Sequence, residues 1–150
     1  MKSIVELKLG KSGTRYISCA LGNDDMSIEL DYLKSFLGRD VFGHVVENKQ
    51  LRDGDEYHIT VMYGHELDQI SDHMMNSMIG SSISFEKIGI GKASSGANAA
   101  YYSIVESEEL TQLRLLAHLP AKDFHITLGF DGSDIHGVPK DTSTLIIPTN

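Results

Sequence analysis

His58-Ile59-Thr60 and His125-Ile126-Thr127 place the same two side-chain chemistries at the same spacing in two separate strand-like runs. Imidazole titrates near neutral pH, so a neutral ring can take a proton from an attacking hydroxyl while a protonated one donates to a leaving oxygen. Threonine hydroxyls can hydrogen-bond the non-bridging oxygens of a phosphate held between them. Residues two apart in an extended strand share a face. His58, Thr60 and Met62 therefore share one face of the first run, with Tyr57, Ile59, Val61 and Tyr63 on the other. In the second run His125, Thr127 and Gly129 oppose Phe124, Ile126, Leu128 and Phe130. Two such pairs lining one cleft would supply a base, an acid and two phosphate-binding hydroxyls for in-line displacement at phosphorus, without a metal. Acid–base help of this kind is worth roughly 10²–10⁴-fold per group.

Other chemistries fit less well. A catalytic zinc takes three protein ligands as a rule, and the two runs offer two imidazoles beside two hydroxyls. His44, His65, His73, His118 and His136 lack ligand-like spacing, and no Gly-x-Ser-x-Gly elbow is present for a serine nucleophile. Tyr16, Tyr63 and Phe130 could stack on a nucleobase, but alternation assigns Tyr63 and Phe130 to the apolar face, where core packing is the plainer role. Tyr16 is the better candidate for a base. The adjacent Tyr101 and Tyr102 must split between faces, so one of them can reach the cleft. Lys11 and Arg15, beside the Lys11-Ser12-Gly13-Thr14 turn, are the candidates for compensating substrate charge.

The elements that must hold these residues follow from periodicity. Ile4–Leu9 and Tyr16–Leu21 read as a hairpin, and Met26, Leu30, Leu33 and Leu37 recur at helical spacing up to Gly38 as a cap. Residues 38–55 read as a long connection, long enough for a role in covering a site. Leu67, Ile70, Met74 and Met78 suggest one helix, and a strand or two follow in 82–92. Residues 93–98 give the clearest turn signal, leading into a strand over Ala100–Val105. Ser107 is placed to cap a helix that carries Leu110, Leu113 and Ala117 inward, with Pro120 beyond its end. The second His run, Asp123–Phe130, and a short strand over Thr144–Ile147 complete the chain. Each half then has strand, helix and His strand in the same order, and hairpins mixed with helices favour an α+β fold.

At 150 residues, 41% of them apolar, the chain fits one domain spanning residues 1–150. No run is apolar enough to span a bilayer or to act as a secretory signal, and the single Cys19 suits a reducing compartment, so a cytoplasmic protein is expected. A formal charge of −8 argues against tight binding of long nucleic acid, which depends on many Lys and Arg contacts to phosphates. A small anionic ligand remains compatible, and nothing points to a cofactor, a bound metal or an obligate protein partner.

The paired motifs, His58-x-Thr60-Val61 and His125-x-Thr127-Leu128, resemble the signature of the 2H phosphoesterase superfamily. That resemblance implies a two-lobed, pseudo-duplicated α+β fold, with antiparallel sheets, flanking helices and a central cleft. It also implies a metal-independent phosphodiesterase acting on nucleotides or RNA ends through His58, Thr60, His125 and Thr127. The compact form is similar to small phage-encoded members that destroy the cyclic oligonucleotide signals of bacterial CBASS immunity, which would put the protein in a host cytoplasm. The stretch from His125 to Phe130, continuing to Asp134–Lys140, also resembles members linked to RNA repair, which act on 2′,3′-cyclic phosphates. A third reading is a nucleotide-binding module without turnover.

Overall fold

In the computed structural model, which describes residues 1–149, β1 (Lys2–Leu9) and β2 (Arg15–Leu21) form the expected hairpin around the Lys11–Thr14 turn. α1 (Ser27–Leu37) follows, and Gly38, at φ +83°, closes it by donating its N–H to Lys34 O. The stretch 38–55 is not a loop. It forms α2 (Arg39–Asp53), because Phe42, Val45, Val46 and Lys49 recur on one helical face and pack inward. Two features hide that pattern in the sequence. Gly43 interrupts it, and the buried member Lys49 is charged; its ammonium is satisfied by the Gly54 and Glu56 carbonyls at 2.8 and 2.7 Å.

β3 (Tyr57–Met62) carries the first motif. The single helix expected after it is two, α3 (Gly64–Leu67) and α4 (Asp72–Met78), because Ser71 starts a new helix by accepting from Met74 N–H. β4 (Ser82–Ser84), β5 (Glu86–Ser95) and β6 (Asn98–Glu106) come next. The expected turn over 93–98 shrinks to Gly96-Ala97, since the β5–β6 ladder runs out to Ser95 opposite Asn98. α5 (Glu108–Leu116) is capped by Ser107, whose Oγ accepts from Leu110 N–H. β7 (Phe124–Asp131) carries the second motif and β8 (Leu145–Pro148) ends the sheet. No helix among the described residues is long and apolar enough to cross a membrane.

All eight strands lie in one sheet in the order β4-β1-β2-β3-β7-β6-β5-β8. Read outward from the centre, the two halves match strand for strand. Each is a hairpin, a helical segment, a His strand beside the second hairpin strand, and a short strand beside the first. The helices are exchanged between halves. α2, from the first half, packs on β7, while α5, from the second, packs on β3 and β4. A Cβ on Gly129 of β7 would come within 2.7 Å of the Val45 backbone, so this glycine is what allows α2 to lie directly on the strand. The α+β class and the duplicated, antiparallel architecture expected from the motifs are what the fold shows.

Candidate active site

The two motifs meet at the middle of the sheet. β3 and β7 pair antiparallel with Ile59 opposite Ile126, and both isoleucines are fully buried in the main core. With that register His58 lies across from Thr127 and Thr60 across from His125, all four on the face turned away from the core. All four are half-buried, and a local two-fold axis passes between the isoleucines.

Each His strand also bulges at the residue after its Thr. Ser18 is opposite Thr60 but Ile17 is opposite Met62, leaving Val61 as the extra residue; Tyr102 is opposite Thr127 but Tyr101 is opposite Gly129, leaving Leu128. A bulge shifts the alternation by one. Met62 therefore turns into the main core, fully buried, and Tyr63 emerges 40% exposed on the wall of the cleft. Strict alternation had assigned each to the opposite face. Phe130 likewise joins a smaller cluster with Tyr102, Ile104 and Ile135, under the loop that follows β7.

A buried clasp holds the bulged end of β3. Arg114 of α5 donates to Glu66 through two nitrogens, at 3.0 and 2.6 Å, to the Val61 carbonyl at 2.8 Å and to the Pro120 carbonyl at 2.8 Å. Glu66 also accepts from Tyr63 N–H, and the guanidinium holds its carboxyl below the usual range against the opposing effect of burial. Lys122, two residues beyond Pro120, donates to the Thr60 carbonyl at 3.0 Å and sits 4.2 Å over the Tyr63 ring.

The neighbourhoods of the two imidazoles differ. The Tyr16 ring lies 6.0 Å from His58, so the base-stacking candidate does stand beside the motif. On the other side Tyr102 is the member of its pair on the His125 face, but it lies fully buried beneath the site; its ring meets His125 edge-on at 5.7 Å, and its hydroxyl donates to Thr144 Oγ1 at 2.8 Å. Burial pushes both imidazoles below their ordinary range. For His58 the nearby Asp53 and Glu56 oppose the push, while Arg52 and Lys49 add to it. His125 is driven down to about 3, by burial first and then by Lys140 and Lys122, with His58 adding its own charge.

Lys11 and Arg15 are not brought to the motifs. Lys11 donates to the Leu51 carbonyl at the end of α2, and Arg15 alternates with Ile17 and Cys19, on the opposite face of β2 from Tyr16. The cations at the site are instead Lys122 and Lys140, with Arg52 bound to Asp53 and Asp134. They stand on the loops flanking β7 and at the end of α2, and no local spacing gathers them. His65 and His136, which lack ligand-like spacing in the sequence, line the same cleft as His125, a space of about 790 Å³.

Such a site can hold a phosphodiester between two hydroxyls while moving one proton in and one out. No solved structure and no curated protein matches the chain. The model of the family described as Swiss Army Knife, 2H phosphoesterase domain, matches residues 26–136, a span that contains both motifs, α2 and the clasp. The chain belongs to the 2H phosphoesterase family, with the phosphodiesterase-type chemistry that this implies.

Proposed function

We propose that the protein is a metal-independent phosphodiesterase that hydrolyses 3′–5′ phosphodiester bonds in small cyclic oligonucleotides. The observation that carries this reading is the Ile59–Ile126 register, which sets one imidazole and one hydroxyl on each side of a single axis. His125 is the general base. Water attacks phosphorus and gives its proton to His125; the bond to the leaving ribose oxygen breaks, and that oxygen takes a proton from His58. One diester and one water become a phosphomonoester and a hydroxyl, and the two imidazoles exchange protons with solvent to reset. Thr60 and Thr127 donate to the non-bridging oxygens as charge builds on them.

The roles are assigned by the surroundings. His125, buried next to two ammonium groups, is held in the neutral form that a base requires, and the negative charge of a bound diester offsets the ammonium groups that lower its basicity. Burial lowers His58 as well, with Arg52 and Lys49 adding to it, but Asp53 and Glu56 favour its charged form, and the negative charge of a bound diester adds to them. A net charge of −8 with a local cationic wall favours a compact ligand of few phosphates over a long polyanion. The test is incubation with cyclic di- and trinucleotides and with RNA carrying a 2′,3′-cyclic end, in EDTA, with the products identified. Linear products from the rings are expected. Turnover of RNA ends alone would assign the protein to RNA processing, tight binding without product would make it a binding module, and loss in EDTA restored by zinc would overturn the metal-free chemistry.

A further inference from the structure

The cations near the two histidines are spent very differently. On the His58 side Lys49 gives hydrogen bonds to two carbonyls and sits 3.8 Å over the Tyr57 ring, and Arg52 is taken up by Asp53 and Asp134. On the His125 side the demands are lighter. Lys122 has three N–H donors, gives one to the Thr60 carbonyl and sits 4.2 Å over the Tyr63 ring, with Glu66 and Asp123 favouring its charge. Lys140, only 5% exposed, has its ion partner in Asp134 at 3.6 Å, a carboxylate that Arg52 already engages. Both lysines line the cleft beside His125. Burial lowers both below the ordinary lysine range, Lys122 to about 8, with the Arg114 guanidinium and then Lys140 adding to the effect on Lys122 against Glu66 and Asp123. Holding two desolvated ammonium groups on one cleft, where Asp123 is the carboxylate of the lining, costs free energy that a bound anion would recover.

The rest of that wall is suited to a base. The Tyr63 and His65 rings are parallel within 6°, their centroids 6.0 Å apart, and Val138 and Pro139 face the same space. We propose that the His125 side of the cleft is a nucleotide subsite, in which Lys122 and Lys140 hold a second phosphate of the substrate, beyond the one being cleaved, and the Tyr63–His65 face takes the adjoining base. This rests on the phosphodiesterase reading and narrows it. A cyclic dinucleotide or larger ring carries such a second phosphate, whereas a nucleoside cyclic monophosphate does not.

The test is calorimetric binding to the full chain at pH 7 of adenosine 5′-monophosphate, adenosine and inorganic phosphate, repeated with Lys122→Gln, Lys140→Gln and Lys122→Arg. The monophosphate is expected to bind at least tenfold more tightly than either fragment. Each Gln variant should lose fivefold or more of that affinity with less than a twofold change for adenosine, and Lys122→Arg should retain most of it. Equal binding of adenosine and its monophosphate, or parallel loss of both in the variants, would overturn the subsite. Lys122 also braces Thr60, so if Lys122→Gln fails to fold, Lys140→Gln alone decides the question. Binding is read without turnover: the expected pattern in a protein inactive on every diester keeps the subsite and removes the phosphodiesterase reading. Cleavage of a cyclic dinucleotide at unchanged KM by both Gln variants does the reverse.

Discussion

The two halves of the sheet share a topology, a bulge position and a motif, yet their histidines are in unlike electrostatic settings. His58 draws its neighbours from the end of α2, where Lys49 and Arg52 are locked onto carbonyls and carboxylates and Asp53 stands near the ring. His125 draws its neighbours from the loops flanking β7, and those are lysines with capacity to spare. The repeated backbone supplies the geometry of an in-line displacement. In the proposed reaction the elements that are not repeated decide which imidazole takes the proton and which gives it.

The sharpest way to break that comparison is to change the leaving group. His58→Ala and His125→Ala should each lower turnover of a cyclic dinucleotide by about 10²–10⁴-fold. With a 4-nitrophenyl nucleotide diester, whose leaving group needs no proton, His58→Ala should recover most of the loss and His125→Ala none of it. Recovery by His125→Ala instead would reverse the assigned roles. Equal recovery by both would mean that the unlike settings do not distinguish base from acid.

Arg114 tests whether the halves depend on each other through their exchanged helices. Its clasp ties α5 to the bulge of β3, and removing it strands the Glu66 carboxylate and the Val61 carbonyl in a buried place. Arg114→Leu should therefore cost about 3–5 kcal/mol in urea unfolding, and Arg114→Leu with Glu66→Leu distinctly less, because no orphan charge remains. Equal costs would show that packing, not the ion pair, joins the halves.

Thr60→Val and Thr127→Val sharpen the comparison at a smaller scale. Neither hydroxyl transfers a proton in the proposed reaction, so each change should slow kcat by about tenfold, below the effect of losing either imidazole. Because the local two-fold axis relates them, the two losses should be similar. A large inequality would show that the phosphate sits off the axis, toward one half.

What could be read from the chain alone is what side-chain periodicity records. The hairpins, the helix ending at Gly38, the Ser107 cap and the two His strands follow from alternation and spacing, and the motif faces follow with them up to Thr60 and Thr127. Beyond those residues the bulges at Val61 and Leu128 reverse the faces, and nothing in either residue type announces an extra position. α2 was hidden by a glycine and by a buried lysine whose partners are carbonyls of the following turn. Lys122 and Lys140 could not be paired before the fold was known, since only the return of the loop after β7 brings them together. Lys11 and Arg15 stood out by adjacency, but the alternation of β2 turns Arg15 away from the Tyr16 face and the end of α2 occupies Lys11.

The smallest effect concerns acid stability, where the difference between the histidines should be visible without substrate. His125 has a folded-state pKa of about 3, against about 6.5 for an ordinary histidine in the unfolded chain. Between those values the unfolded chain takes up a proton that the folded one refuses, so stability is complete above about pH 6.5 and falls as the pH drops toward 3. At pH 5 the loss from this one group is at most about 2 kcal/mol, and about 1 kcal/mol after allowing for solvent reaching the half-buried ring. His58 is lowered in the same direction but with acidic neighbours opposing it, so its share should be the smaller. Urea unfolding at pH 7 and pH 5 should show His125→Gln losing less stability over that interval than wild type, with His58→Gln falling between them. Carboxylates common to all three proteins cancel in the comparison. If His58→Gln instead removed the larger part of the acid sensitivity, the more strongly desolvated imidazole would be His58, and the base would have to be sought on that side of the axis.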